Sequence, residues 1–98
     1  MANVKFVPGN GMLAAYLSGE IDHHSAQMLR SEIDAQLDMR IPDLLTMDLG
    51  GVTFMDSSGV GLILGRGRRM TAGGGRLTVQ NPPQQIKKML DLARIAYL

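Results

Sequence analysis

A chain of 98 residues with 45% hydrophobic and 19% charged side chains has the make-up of one globular domain with one modest core, which excludes wholesale disorder. It has no cysteine, which excludes disulfides, thiolate nucleophiles and cysteine-based zinc sites and favours a cytosolic address. The net charge is only +1, yet residues 1–65 carry three basic side chains against eight acidic ones, while residues 66–98 carry seven against the single Asp91. In an alternating fold such halves interleave, so these charges are expected to pair or stay solvated.

Met1-Ala2-Asn3-Val4-Lys5 lacks signal-peptide anatomy, and no apolar run approaches the length of a membrane span. Asn3–Val7 and Met12–Ser18 are short apolar-rich runs separated by Pro8-Gly9-Asn10-Gly11, a pattern that predicts an antiparallel hairpin. Gly19-Glu20-Ile21-Asp22 ends the second strand, with Asp22 placed to cap the next element. From His23 to Asp38, Ala26, Leu29, Ile33 and Leu37 recur at three- and four-residue steps, which predicts an amphipathic helix that Pro42 terminates.

Leu44–Leu49 lacks alternation, as a central strand covered on both faces does, and Gly50–Met55 reads as a connector. A second helix is expected from Asp56-Ser57-Ser58 to about Met70, stopped by Gly73-Gly74-Gly75. Arg76–Val79 is a further strand. Asn81-Pro82-Pro83 reads as a helix start, with Asn81 as cap and Ile86, Met89, Leu90 and Ala93 on one face of the helix that follows. This order, β-β-α-β-α-β-α, calls for an α/β fold whose sheet has a parallel centre and a hairpin edge.

The second helix is the anomalous one. Gly59, Gly61, Gly65 and Gly67 each cost a helix about 0.8–1 kcal/mol relative to alanine. On a helical projection Val60, Ile63, Gly67 and Met70 form the expected core stripe, with Leu64 at its margin and Gly67 allowing close approach to the sheet. The opposite face then carries Ser58, Gly61, Leu62, Gly65 and Arg69, a bare surface around one exposed leucine, suited to docking another protein; a shorter or irregular helix would explain the same glycines. At its start Ser57 should point outward beside Asp56. A helix start accepts negative charge, so phosphate on Ser57 would add about −1.5 to −2 charges without breaking the fold while blocking a partner that needs a neutral surface. Plain capping by Asp56 and Ser57 accounts for the same residues.

Phe54-Met55-Asp56-Ser57-Ser58-Gly59-Val60-Gly61, together with Gly19-Glu20-Ile21-Asp22-His23-His24, resembles the signature of bacterial anti-sigma factor antagonists. These belong to the STAS (sulphate transporter and anti-sigma factor antagonist) domain family, and the likeness is strongest to its sporulation-type members. It extends over about residues 3–95. The resemblance implies a mixed four- to five-stranded sheet with an N-terminal antiparallel hairpin and helices mainly packed on one face. It also implies a single domain over residues 1–98 that stops at Ile95-Ala96-Tyr97-Leu98, midway through the family's last strand and before its last helix. Sheet surface left bare by that helix would favour self-association.

For function, the resemblance implies a non-enzymatic regulator needing no cofactor, itself the substrate of a serine kinase and a serine phosphatase. Ser57 is the implied phosphoacceptor. The dephosphorylated form would bind an anti-sigma kinase with its nucleotide and free a sigma factor for RNA polymerase. Asp22, Asp56, Ser57, Ser58, Gly61, Leu62, Gly65 and Arg69 are the positions expected at that partner surface. The alternative is a non-switching STAS module acting as a scaffold or subunit in a transport or stress-signalling assembly.

Other chemistries fit the sequence poorly. Neither Ser57 nor Ser58 sits in a Gly-x-Ser-x-Gly elbow. Adjacent His23 and His24 diverge by about 100° on a helix and cannot chelate one metal as an i, i+4 pair can. No Gly-Lys-Ser/Thr follows the glycines, against a phosphate-binding P-loop. The C-terminal basic residues lack interleaved aromatics, so neither nucleic acid nor membrane is an expected partner.

Overall fold

The computed structural model describes residues 1–98. Gly11, at φ +74°, turns the chain between strands β1 (Ala2–Pro8) and β2 (Met12–Ile21), which pair antiparallel from Ala2↔Gly19 to Pro8↔Leu13. Helix α1 (His23–Met39) leads to strand β3 (Leu44–Met55), and helix α2 (Ser57–Ala72) leads to strand β4 (Arg76–Gln80) and helix α3 (Gln84–Leu92). The four-stranded sheet has the order β1-β2-β3-β4; β2 and β3 are parallel, as are β3 and β4. The expected mixed sheet with a hairpin edge is therefore present, at four strands.

The register explains where the core lies. Leu13↔Leu45↔Leu77 and Ala15↔Met47↔Val79 are aligned across three strands, so their side chains share one sheet face, joined by Leu17 and Leu49. Against this face α1 buries Ala26, Leu29, Ile33 and Leu37, the four positions its periodicity marks. Helix α2 adds Leu62, Ile63 and Met70, and α3 adds Ile86 and Leu90. On the alternate face Val7, Met12 and Tyr16 are exposed. Only the middle of β3 is shielded there: Thr46 Oγ1 lies 3.3 Å from Thr78 Oγ1, and the buried Asp48 carboxylate accepts hydrogen bonds from Gly50 N (2.8 Å), Gln80 Nε2 (2.9 Å) and Asn81 Nδ2 (2.8 Å).

Two local expectations change. Gly50–Met55 is strand rather than connector: β3 keeps pairing with β2 as far as Ile21↔Met55, through two register shifts. Gly51 makes this fit, because a Cβ there would come within 2.9 Å of Ser18 Cβ and 3.2 Å of the Leu17 carbonyl. Asn81 does not cap α3. It takes a left-handed conformation (φ +57°) and sends its side chain back to Asp48, leaving Pro83 as an N-cap without a side-chain hydrogen bond. Leu98 lies alongside β4, donating to Val79 O (2.9 Å) and accepting from Asn81 N (3.0 Å), the bonding pattern of a parallel neighbour strand. No helix is long and apolar enough to cross a membrane.

Candidate functional site

Because β2 and β3 run parallel and end together at Ile21↔Met55, the next residues, Asp22 and Asp56, emerge side by side at the carboxyl edge of the sheet. Ligand and partner sites in parallel sheets gather at such edges. The Asp56 amide donates to the Ile21 carbonyl (3.2 Å), which holds the two strand ends together. Both aspartates adopt almost the same extended backbone, φ −102° and ψ −172° for Asp22, φ −101° and ψ −170° for Asp56, and each is the N-cap of the helix it precedes. Two motifs more than thirty residues apart in sequence are thereby brought to one edge. Neither helix has an acidic residue in its first turn, so two sets of free N–H groups and two positive dipole ends point the same way.

At α1 the cap is closed by a capping box. Ser25 N donates to Asp22 Oδ1 (2.9 Å), and Asp22 N donates to Ser25 Oγ (2.9 Å), which in turn donates to the Glu20 carbonyl (2.9 Å). The hydrogen bond from the Ser25 amide is the main reason the exposed Asp22 carboxyl sits below its ordinary pKa, with help from the Ser25 hydroxyl. At α2 the cap is simpler: Asp56 Oδ1 accepts from Ser58 N (2.8 Å) and the Asp56 carbonyl from Gly59 N (3.0 Å). Ser57, the first residue of α2, takes no part in this cap and is exposed.

Gly59 replaces the serine that would complete a second capping box. A Cβ there would collide with the Met55 side chain and lie 3.4 Å from Ile21 Cγ2, so this glycine seats α2 on the paired strand ends. Gly67, by contrast, would place a Cβ in open space, so the close approach expected at Gly67 occurs at Gly59 instead.

The buried face of α2 is turned relative to the expected one, comprising Gly59, Leu62, Ile63, Arg66 and Met70. Leu62 is therefore not an exposed docking anchor, with only 5% of its surface accessible; Leu64 is the exposed leucine, at 41%. The reason is that α2 packs against α1 as well as the sheet. Arg66, a charged residue that hydrophobic patterning ignores, is drawn inward by Asp34 of α1 (Nε to Oδ1, 3.0 Å). Arg69 is not a free cation bordering a docking face either: it pairs with Asp34 Oδ1 (3.1 Å) and with Asp38, whose hydrogen bond is the main reason its guanidinium lies above its ordinary pKa.

Ser58, Gly61 and Gly65 nonetheless share one surface, the α2 wall of a groove of about 550 Å³ between α1 and α2, with Leu62 in its lining and His23 and Arg30 on the α1 side. Position Gly61 is open, with no atom within 4 Å of where a Cβ would stand, so the missing side chain keeps the groove clear. Of the residues singled out in the sequence, Asp22, Asp56, Ser57, Ser58, Gly61 and Gly65 lie around the paired helix starts and the groove that leads from them. Sequence reasoning passed over Arg66, and the only signal for it was its position one turn after Leu62.

The STAS domain family model matches residues 2–97. The chain belongs to the STAS-domain family, among the anti-sigma factor antagonists. It is 39% identical over 85 residues to the anti-sigma F factor antagonist of Paenibacillus polymyxa, an alignment covering 85% of this chain and 71% of that one. Among solved structures, this STAS domain resembles the anti-sigma factor antagonist SpoIIAA in its unphosphorylated form, with TM-score 0.84, 29% identity, and coverage of 95% of this chain and 82% of the other. It also resembles the phosphorylated form of the Bacillus cell fate determinant SpoIIAA, with TM-score 0.76, 29% identity and coverage of 93% and 83%.

Proposed function

We propose that this STAS domain is a phosphorylation-switched anti-sigma factor antagonist, with Ser57 as the phosphoacceptor. The observation that carries this reading is the exposed Ser57 at the first residue of α2, with its hydroxyl outside the cap and Asp22 and Asp56 beside it. In the dephosphorylated form, the surface around Asp22, Asp56, Ser57, Ser58, Gly61 and Gly65 engages a cytosolic anti-sigma kinase carrying its nucleotide, which then releases its sigma factor. Phosphate on Ser57 is tolerated by the helix start, where N–H groups and dipole favour an anion. The partner does not tolerate it, because docking would strip water from an unpaired dianion. A serine phosphatase restores the binding form. Likeness to a protein known in both unphosphorylated and phosphorylated forms supports the reading.

The test is phosphoryl transfer. Incubated with the anti-sigma kinase of its own operon or genome and ATP, the chain should gain the mass of one phosphoryl group on the peptide containing Ser57, and Ser57→Ala should gain none. Absence of transfer to the parent chain, with binding retained, would instead indicate a non-switching STAS module.

A further inference from the structure

The groove between α1 and α2 carries a charge pattern that the switch at Ser57 does not use. Its lining includes Arg30, Arg66 and Arg68, with His23, Gln27 and Ser58, and contains no acidic residue. At its far end Asp34 is shared by three guanidiniums: Arg66 Nε at 3.0 Å, Arg69 Nη1 at 3.1 Å and Arg30 Nε at 3.6 Å. Three arginines share Asp34 and Asp38, an excess of one positive charge, and Arg68 on the groove lining adds a second.

The Arg66 side chain exposes only 7% of its surface, and its Nε lies within ion-pair distance of Asp34 Oδ1 (3.0 Å) while neither atom makes a hydrogen bond. Asp34 balances part of the Arg66 charge, but a buried Nε–H without a hydrogen-bond acceptor is costly, and the guanidinium keeps donor capacity toward the groove that it lines. Burial first, and then repulsion from Arg30, Arg69 and Arg68, hold its pKa below the ordinary value despite Asp34.

We infer that this groove is a binding site for a phosphate dianion, free or as the terminal group of a small phosphomonoester, held by Arg66 at the base and by Arg30 and Arg68 at the rim. A phosphate carries about −1.5 to −2 charges near neutral pH, which matches the uncompensated pair, and its oxygens suit the planar donor fork of arginine. The volume of about 550 Å³ lies within the range of small-ligand sites, roughly 300–1,000 Å³. Gly61 and Gly65 leave the ligand room. Arg68 Nη2 already lies 3.9 Å from the place of a Cβ on Gly65, so its guanidinium reaches over that glycine. The site shares Ser58, Gly61 and Gly65 with the proposed partner surface, but phosphate binding and phosphoryl transfer to Ser57 are measured separately, and each can fail without the other.

The test is titration of the full chain with inorganic phosphate at constant ionic strength, followed by proton–nitrogen correlation NMR. Saturable shifts are expected at the amides of Ser58, Gly61 and Gly65. Arg68→Gln should weaken binding severalfold and Arg66→Lys about tenfold, since lysine keeps the charge but loses the fork. Because Arg66 is buried and its replacement can unfold the chain, Gly61→Met serves as the folded variant: its Cβ would meet no atom within 4 Å, methionine favours the helix, and its flexible side chain extends into the groove, so binding should weaken about tenfold. Methyl phosphate distinguishes the sources, since equal affinity indicates a phosphomonoester ligand and much weaker affinity indicates free phosphate. Shifts that never saturate, that acetate or chloride reproduces, or that persist undiminished in Gly61→Met would overturn the inference.

Discussion

Two helix starts with nearly superimposable caps end up chemically opposite. At α1 the Ser25 hydroxyl is held by Asp22 and Glu20 and closes a capping box. At α2 the equivalent third position is Gly59, pressed onto Met55 and Ile21, while Ser57 stands in the open. A serine in the first turn after a capping aspartate is thus a structural residue in one case and a free hydroxyl in the other. The cap backbones are alike, and the difference lies in which residue the sheet edge leaves room for at the third position. A serine two places later in the turn is consumed by the fold, and one immediately after the cap is free.

The sharpest way to break this contrast is at the free hydroxyl. Ser57→Asp should weaken binding to the proposed anti-sigma kinase about a hundredfold, roughly 2.7 kcal/mol, while leaving Tm unchanged or slightly raised, because a carboxylate suits the first turn. Calorimetric binding and thermal melts of the same sample separate the two effects. Tight binding by this variant would remove Ser57 from the interface.

Gly59→Ala should destabilise the fold by about 1–3 kcal/mol in urea melts, since its Cβ collides with Met55. Ser25→Ala should cost about 1 kcal/mol by removing the hydroxyl that accepts from Asp22 N and donates to the Glu20 carbonyl, with the proposed phosphoryl transfer to Ser57 unaffected. Gly61→Ala points the other way, stabilising by about 0.8–1 kcal/mol, because its Cβ enters open space within a helix. Equal responses of Gly59 and Gly61 would mean that the glycines share one role, and the contrast between seating and clearance would be lost.

The smallest effect is acid sensitivity. Burial raises the pKa of Asp48, but donors from Gly50, Gln80 and Asn81 outweigh it and hold the carboxyl below the ordinary 3.8. A carboxylate whose folded pKa is depressed contributes stability that is complete above the unfolded value and is lost as pH falls through the folded one. Stability measured by denaturant melts should therefore decline as pH drops below about 4, and Asp48→Asn should flatten that part of the curve.

Much of this architecture is legible in the sequence. Ala26, Leu29, Ile33 and Leu37 mark the face of α1 correctly because a single amphipathic stripe against a sheet is what periodicity reports. The hairpin turn, the cap at Asp22 and the position of Ser57 follow from local rules of equal simplicity. The misreadings share a different cause, contact between elements distant in sequence. Leu62 reads as exposed because Arg66 is counted as polar, and its burial depends on Asp34 from another helix. Asn81 reads as a cap because its attraction to Asp48, thirty-three residues earlier, cannot be seen locally. Gly50 and Gly51 read as a loop because the strand beside which they lie is not adjacent in the chain.

The junction of Ile21 with Met55 has a mechanical consequence. Two helices spring from neighbouring strand termini that are hydrogen-bonded to one another, and Gly59 locks the second helix down on that seam. Such an anvil has little freedom to tilt. A charge added at its rim changes what a visitor meets without rearranging what lies beneath, so a switch built there acts as a painted signal rather than a moving lever.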